Sequence, residues 1–130
     1  MPEEVVGSTG KVKYDYDKAG TPQLIKLPEV LLIDDKTGKA EGINMVIGRR
    51  PQGAFGNSTG DQQMFEYAGG NGARVMMLVH HDDAKREYAY GAESKIGTFS
   101  DALMAQAKKK GWIVISMKDD WKTIFPPSAK

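Results

Sequence analysis

Polar and apolar residues alternate along Lys11-Val12-Lys13-Tyr14-Asp15-Tyr16-Asp17, the period-two signature of a half-buried strand. Lys18-Ala19-Gly20-Thr21-Pro22 has turn composition, and Gln23-Leu24-Ile25-Lys26-Leu27 reads as the return strand, so a β-hairpin is predicted over residues 11–27. Pro28 is expected to end that pairing, because proline has no backbone donor. Ahead of the hairpin, Val5-Val6 reads as a strand end running into the turn Gly7-Ser8-Thr9-Gly10. Residues 29–33 are apolar and fit strand or helix, and residues 34–39 form a polar turn. Residues 41–47 predict a short helix with Ile43, Val46 and Ile47 on one face, closed by Gly48-Arg49-Arg50-Pro51.

From Gln52 onward short apolar runs alternate with helical patterns. Gln52-Gly53-Ala54-Phe55-Gly56 is a short buried strand that enters the polar loop Asn57-Ser58-Thr59-Gly60-Asp61, and residues 62–68 follow as a turn or two of helix. After Gly69-Gly70-Asn71-Gly72 comes the strongest strand, Arg74-Val75-Met76-Met77-Leu78-Val79, whose continuous apolar character predicts cover on both faces, as in a parallel sheet. His80-His81-Asp82-Asp83 marks its end, and residues 84–90 are expected to be helical. The clearest helix spans residues 99–110. Thr98 and Asp101 have capping-box spacing, and Phe99, Leu103 and Ala107 share an apolar face. Lys108-Lys109-Lys110 complements the dipole, and Gly111 suits the position past the end. Residues 112–117 form a last strand and residues 118–125 a mixed tail. This order predicts the α/β class: one domain over residues 1–130, with a hairpin at 11–27 and an α/β part at 52–125.

Composition narrows the function. The chain has 130 residues, 40% hydrophobic and 27% charged, which fits one ordinary globular domain. Lys plus Arg number 18 against 17 Asp plus Glu, so a net charge of +1 gives no support to a nucleic-acid backbone binder or a basic membrane-surface protein. The absence of cysteine excludes disulfides, thiolate nucleophiles and Cys-ligated zinc. The longest nearly apolar run, residues 75–79, is far shorter than the ~20 residues of a membrane span. Met1-Pro2-Glu3-Glu4 is acidic where a secretory signal is basic, so a cytoplasmic protein is expected.

The strand–loop–helix order puts Asn57 and Asp61 at the carboxyl end of a strand, where ligands bind in open α/β sheets. An amide oxygen and a carboxylate suit Mg²⁺; on spacing alone a helix-capping loop, with Asp61 on the first turn's free N–H groups, is the commoner reading, and both stand at this point. His80 and His81, adjacent on a strand, point to opposite faces and cannot easily serve one transition-metal site, so a solvated strand end is the better reading; the position at the strand's carboxyl end keeps one of them, His80, as a pocket candidate. Lys108–Lys110 reads as a solvated helix end, and Trp112 and Trp121 as packing residues.

Phe55-Gly56-Asn57-Ser58-Thr59-Gly60-Asp61-Gln62-Gln63-Met64 resembles the fourth motif of the haloacid dehalogenase-like phosphatases, which in one bacterial branch reads Phe-Gly-Asn-Ser-Asp-Gly-Asp with Met following. Gly48-Arg49-Arg50-Pro51, His80-His81, Asp83-Ala84, Arg86-Glu87-Tyr88-Ala89-Tyr90, Lys118-Asp119-Asp120-Trp121-Lys122 and Ile124-Phe125-Pro126 are similar to that branch. So are Val5-Val6-Gly7-Ser8 and Ile33-Asp34-Asp35-Lys36.

The resemblance implies a partial Rossmann-like three-layer sandwich and a Mg²⁺-dependent phosphohydrolase. Asn57 and Asp61 would hold the metal, and Ser58, Lys39, Arg49 and His80 would be phosphate or pocket residues. Two positions depart from the pattern. Met45 stands where the family has its phosphate-binding lysine, with Lys39 or Arg49 as substitutes, and Thr59 stands for an aspartate. The likeness is to the carboxyl-terminal part of such an enzyme, and the nucleophile motif Asp-x-Asp is expected upstream of Val5. Asp15-Tyr16-Asp17 has the letters but lies in an alternating hairpin rather than behind a buried strand. The implied outcome is an isolated chain with no catalytic residue and little or no phosphatase activity. Its sheet would be rearranged, or completed by a homo-oligomer or by a complementary amino-terminal half. A non-catalytic binding or scaffold module is the alternative.

Overall fold

The computed structural model describes residues 5–95 and 97–126. The chain divides into two compact units, Met1–Arg49 and Arg50–Lys130.

In the first unit the alternating segment forms β1 (Thr9–Tyr16), paired antiparallel with β2 (Pro22–Leu32). Asp17 shapes the turn: its Oδ1 accepts the backbone N–H groups of Ala19 and Thr21, both at 2.8 Å, while Gly20 takes φ 81°. Those bonds hold the Asp17 carboxyl below its ordinary pKa.

Pro28 does not end the pairing. The register jumps from Val12↔Lys26 to Gly10↔Val30, so residues 27–29 face a single residue, Lys11. In this bulge no ladder donor is required of Pro28, and β2 runs on through it. Val5 and Val6 are not strand residues; two positions ahead of Gly7 offer too short a ladder, and Val6 lies instead against the next helix.

That helix, α1 (Thr37–Ile47), starts earlier than the apolar pattern predicts and buries a different face. Gly38 and Gly42, one turn apart, are its buried residues. A Cβ on Gly38 would sit 1.7 Å from the Ile33 carbonyl oxygen, so the end of β2 meets the helix backbone directly. Met45, Val46 and Ile47 remain exposed, and Gly48 ends the helix at φ 73°.

The second unit holds a parallel sheet of β3 (Gly53–Gly56), β4 (Val75–His80) and β5 (Ile113–Ser116), ordered β3-β4-β5. Helices α2 (Gln62–Ala68) and α3 (Asp101–Lys110) form the two crossovers. Mixed α/β structure, with a hairpin sheet in one unit and a parallel sheet in the other, is therefore the observed class. Ala54, Phe65, Ala68, Leu78, Phe99, Leu103, Ala107 and Trp112 make the core, with Phe65 stacked on Trp112 at 4.7 Å. Leu78 is fully buried, but Val75 is exposed and Met77 and Val79 are half-buried, so cover on the second face of β4 is partial.

Two local expectations change. Ser100, not Thr98, caps α3: its Oγ accepts Leu103 N–H at 3.1 Å. Phe99 precedes the helix and anchors it in the core. Residues 84–90 are not helical. Asp83 accepts the N–H groups of Lys85 and Arg86, at 3.0 and 3.1 Å, and stops the run after one turn. Arg86 pairs with Asp83 and reaches across to the carbonyls of Met117, Lys118 and Trp121, fastening the segment after β5. This pairing lowers the Asp83 pKa.

Candidate functional site

The loop after β3 is folded around the Asp61 carboxylate. Asp61 Oδ2 accepts the backbone N–H of Asn57 at 2.9 Å, that of Ser58 at 3.1 Å, and the Ser58 hydroxyl at 3.3 Å. Asp61 is 7% exposed. Its side chain rests on Gly56, where a Cβ would lie 2.7 Å from Asp61 Cβ and Cγ and 2.8 Å from Oδ2. Glycine at 56 is thus required for close approach rather than for a special φ. Asp61 does not cap the first turn of α2, as the spacing suggested; its carboxylate reaches back to the residues before it, which fixes Asn57 and Asp61 in one short loop at the carboxyl end of β3.

Thr59 ties this loop to the segment before α3: its N–H and its hydroxyl both donate to the Thr98 carbonyl, at 2.7 and 3.0 Å. An aspartate at 59 would set a carboxylate against that carbonyl, which gives Thr59 a local physical reason.

The Asn57 side chain meets residues that the sequence pattern did not nominate. Its Nδ2 donates to Tyr90 Oη and lies 3.4 Å from His81 Nε2. The His81 and Tyr90 rings stack at 4.7 Å, and His81 Nδ1 is 2.6 Å from Glu87 Oε2. The Glu87 side chain is 7% exposed, and its Oε1 has no partner among the described residues. Burial raises the Tyr90 pKa, and the negative charges of Glu87 and Asp61 add to it against the Asn57 bond.

Strand alternation separates the two histidines as expected, but the one that reaches the loop is His81. His80 stacks on Phe99 at 4.2 Å, with Nδ1 3.7 Å from Asp82 Oδ2. Burial raises the Asp82 pKa, yet bonds from Ser116 Oγ at 2.7 Å and Lys118 N–H at 2.9 Å, with His80 nearby, leave it below its ordinary value. Lys39, in α1, and Arg49, just past Gly48, belong to the first unit; the loop described here is built by the second unit alone. A cavity of about 300 Å³ lined by Phe65, Glu66, Gly69, Gly70, Met76, Lys110 and Trp112 lies at the amino-terminal end of the strands, away from Asn57 and Asp61.

His81, Glu87, Tyr90 and Thr98 are the residues sequence reasoning missed. The available signal was Asp83 ahead of Lys85-Arg86, an Asx-turn pattern that breaks the helical run and folds Glu87 and Tyr90 back over the strand end.

For Mg²⁺ the oxygen chemistry of Asn57 and Asp61 fits two positions of a shell that otherwise takes water and phosphate. Asp61 Oδ2 is already engaged by its own loop, and among the described residues no three His, Asp or Glu side chains converge on one point. The fit is that of a partial ligand set. No protein-family model matches the chain, and no curated protein matches it with significance.

Proposed function

We propose that residues 56–61 form the cation-holding corner of a Mg²⁺-dependent haloacid dehalogenase-like phosphohydrolase, and that this chain alone turns over no phosphoester. One observation carries the reading: Asn57 and Asp61 are fixed together at the carboxyl end of β3, a strand that among the described residues has a parallel neighbour on one side only. Phe55, in the middle of β3, is 64% exposed. A further strand beside β3 would complete a Rossmann-like sheet and bring a reactive carboxylate next to the loop. A second copy of the chain, or a complementary polypeptide, would supply that strand. Bound Mg²⁺ supplies charge neutralisation for a phosphoryl group. Asn57 and Asp61 would hold it, and Asp61 also keeps the Asn57-Ser58 backbone in place.

The two residues that share the letters of the nucleophile motif are engaged within the hairpin. Asp15 pairs with Lys13 at 2.7 Å and Asp17 shapes the hairpin turn. The second reading, a non-catalytic binding module, is favoured by Thr59, which puts a hydroxyl bonded to Thr98 where the resembled motif has a carboxylate.

Calorimetry with Mg²⁺ and a phosphate mimic, run beside an aryl phosphate assay, tests the proposal. The expected result is Mg²⁺ binding that Asp61→Ala abolishes, without turnover by the chain alone. Turnover that Asp61→Ala removes would refute the inactivity. Absence of any Mg²⁺ response would leave the binding module.

A further inference from the structure

Only one end of the Asn57 carboxamide can serve a cation: the oxygen coordinates, whereas the NH₂ group has only donors to offer. We propose that Glu87, His81 and Tyr90 are positioning residues that hold the amide with its oxygen available, an inference resting on the reading of Asn57 as a cation ligand. The argument runs along one chain of hydrogen bonds. A carboxylate only accepts, so Glu87 Oε2, 2.6 Å from His81 Nδ1, keeps the imidazole proton on Nδ1. In the neutral imidazole Nε2 is then the acceptor, and it lies 3.4 Å from Asn57 Nδ2. Tyr90 Oη accepts from the same nitrogen.

The stacked His81 and Tyr90 rings, 4.7 Å apart, set these two acceptors side by side. Because the amide is planar, engaging the NH₂ end turns the oxygen away from the pair. The Glu87 carboxylate is buried, and among the described residues its Oε1 has no partner, an arrangement that costs stability. Hydrogen bonds behind a ligand fix its orientation in this way in metal sites generally.

The test uses the full chain, ¹⁵N-labelled, with Mn²⁺ as probe. Two readouts are taken: the side-chain amide resonances of Asn57 without metal, and the Mn²⁺ affinity from paramagnetic broadening at residues 57–61. In the metal-free protein the Asn57 amide protons should resonate away from solvent-exposed amides and move in Tyr90→Phe. Mn²⁺ affinity should fall roughly tenfold in Tyr90→Phe and Glu87→Ala, and Glu87→Gln, which retains an acceptor oxygen, should stay within about twofold of the parent. A purely structural role would lower the melting temperature of these variants and leave Mn²⁺ affinity unchanged in the folded protein. That result overturns the proposal, as do Asn57 resonances at the solvent-exposed position that ignore Tyr90→Phe. Shifted, Tyr90-dependent resonances without any Mn²⁺ broadening would instead refute the cation reading of the loop, and the proposal with it.

Discussion

Gly56→Ala should disable the loop from beneath. The new Cβ would lie 2.7 Å from Asp61 Cβ and Cγ, where ordinary contact begins at 3.4 Å, so Asp61 or the loop must move by well over half an ångström. Overpacking of this kind costs about 1–3 kcal/mol. If Asp61 swings out, the bonds from Asn57 N–H, Ser58 N–H and Ser58 Oγ are lost as well. A single bond to a charged acceptor contributes about 1.5–3 kcal/mol net, and with water replacing most of the three once the loop opens, the single variant should lose about 3–5 kcal/mol. Asp61→Ala alone should lose about 2–3 kcal/mol, because it removes the same bonds without the clash.

The two losses overlap, and the double variant should fall short of their sum by about 1–2 kcal/mol. Asp61→Gly should relieve the clash further, since alanine retains the Cβ that Gly56→Ala would strike. Urea unfolding followed by fluorescence of Trp112, buried against Phe65, reads this unit. Costs that add to within about 0.3 kcal/mol would refute the reasoning, by showing that Gly56 does not accommodate the Asp61 side chain.

Ser100→Ala should cost about 1 kcal/mol through loss of the bond to Leu103 N–H, measured by urea unfolding, while Thr98→Ala keeps that cap and the Thr98 carbonyl that Thr59 uses. Asp82 has a folded pKa below its ordinary value of 3.8, so it contributes stability above that value which is lost as pH falls through the lowered one. Asp82→Asn should therefore flatten the acid limb of a stability–pH curve. Arg86→Met should lose about 2–4 kcal/mol and expose the segment after β5 to limited proteolysis; Arg86→Lys should rescue little, because one ammonium cannot span the carbonyls of Met117, Lys118 and Trp121.

Elements whose cause is local were legible in the sequence. The alternation of β1, the apolar run of β4, the α2 segment and the Lys-rich, glycine-ended α3 all act within a few residues, and the structure has them. The loop from Asn57 to Asp61 was legible as a loop for the same reason: the bonds that close it span three or four residues, although they run backwards from Asp61 rather than into α2. Pro28 misled because a bulge on the strand removes the need for its donor, which depends on pairing register rather than on Pro28 itself. Residues 84–90 have helical composition, but Asp83 captures the N–H groups that would begin the helix. Ser100 outcompetes Thr98 as a cap because Phe99 is drawn into the core. The partners of Asn57 lie 24 and 33 positions along the chain, beyond anything spacing reveals. The face of α1 was misjudged because close backbone approach selects Gly38 and Gly42 over larger apolar residues nearby.

The parallel order β3-β4-β5 also imposes a sequence of assembly. Joining β3 to β4 closes the shorter crossover, through α2, whereas joining β4 to β5 must gather in the Arg86 turn and α3 together. Chain closure grows costlier with the length enclosed, so the first pairing is entropically the easier of the two. The stretch that carries Asn57 lies inside the early-closing half, and His81, Glu87 and Tyr90 lie beyond it. A chain emerging from the ribosome would therefore shape its oxygen-bearing loop before the neighbours that aim the amide had come into place.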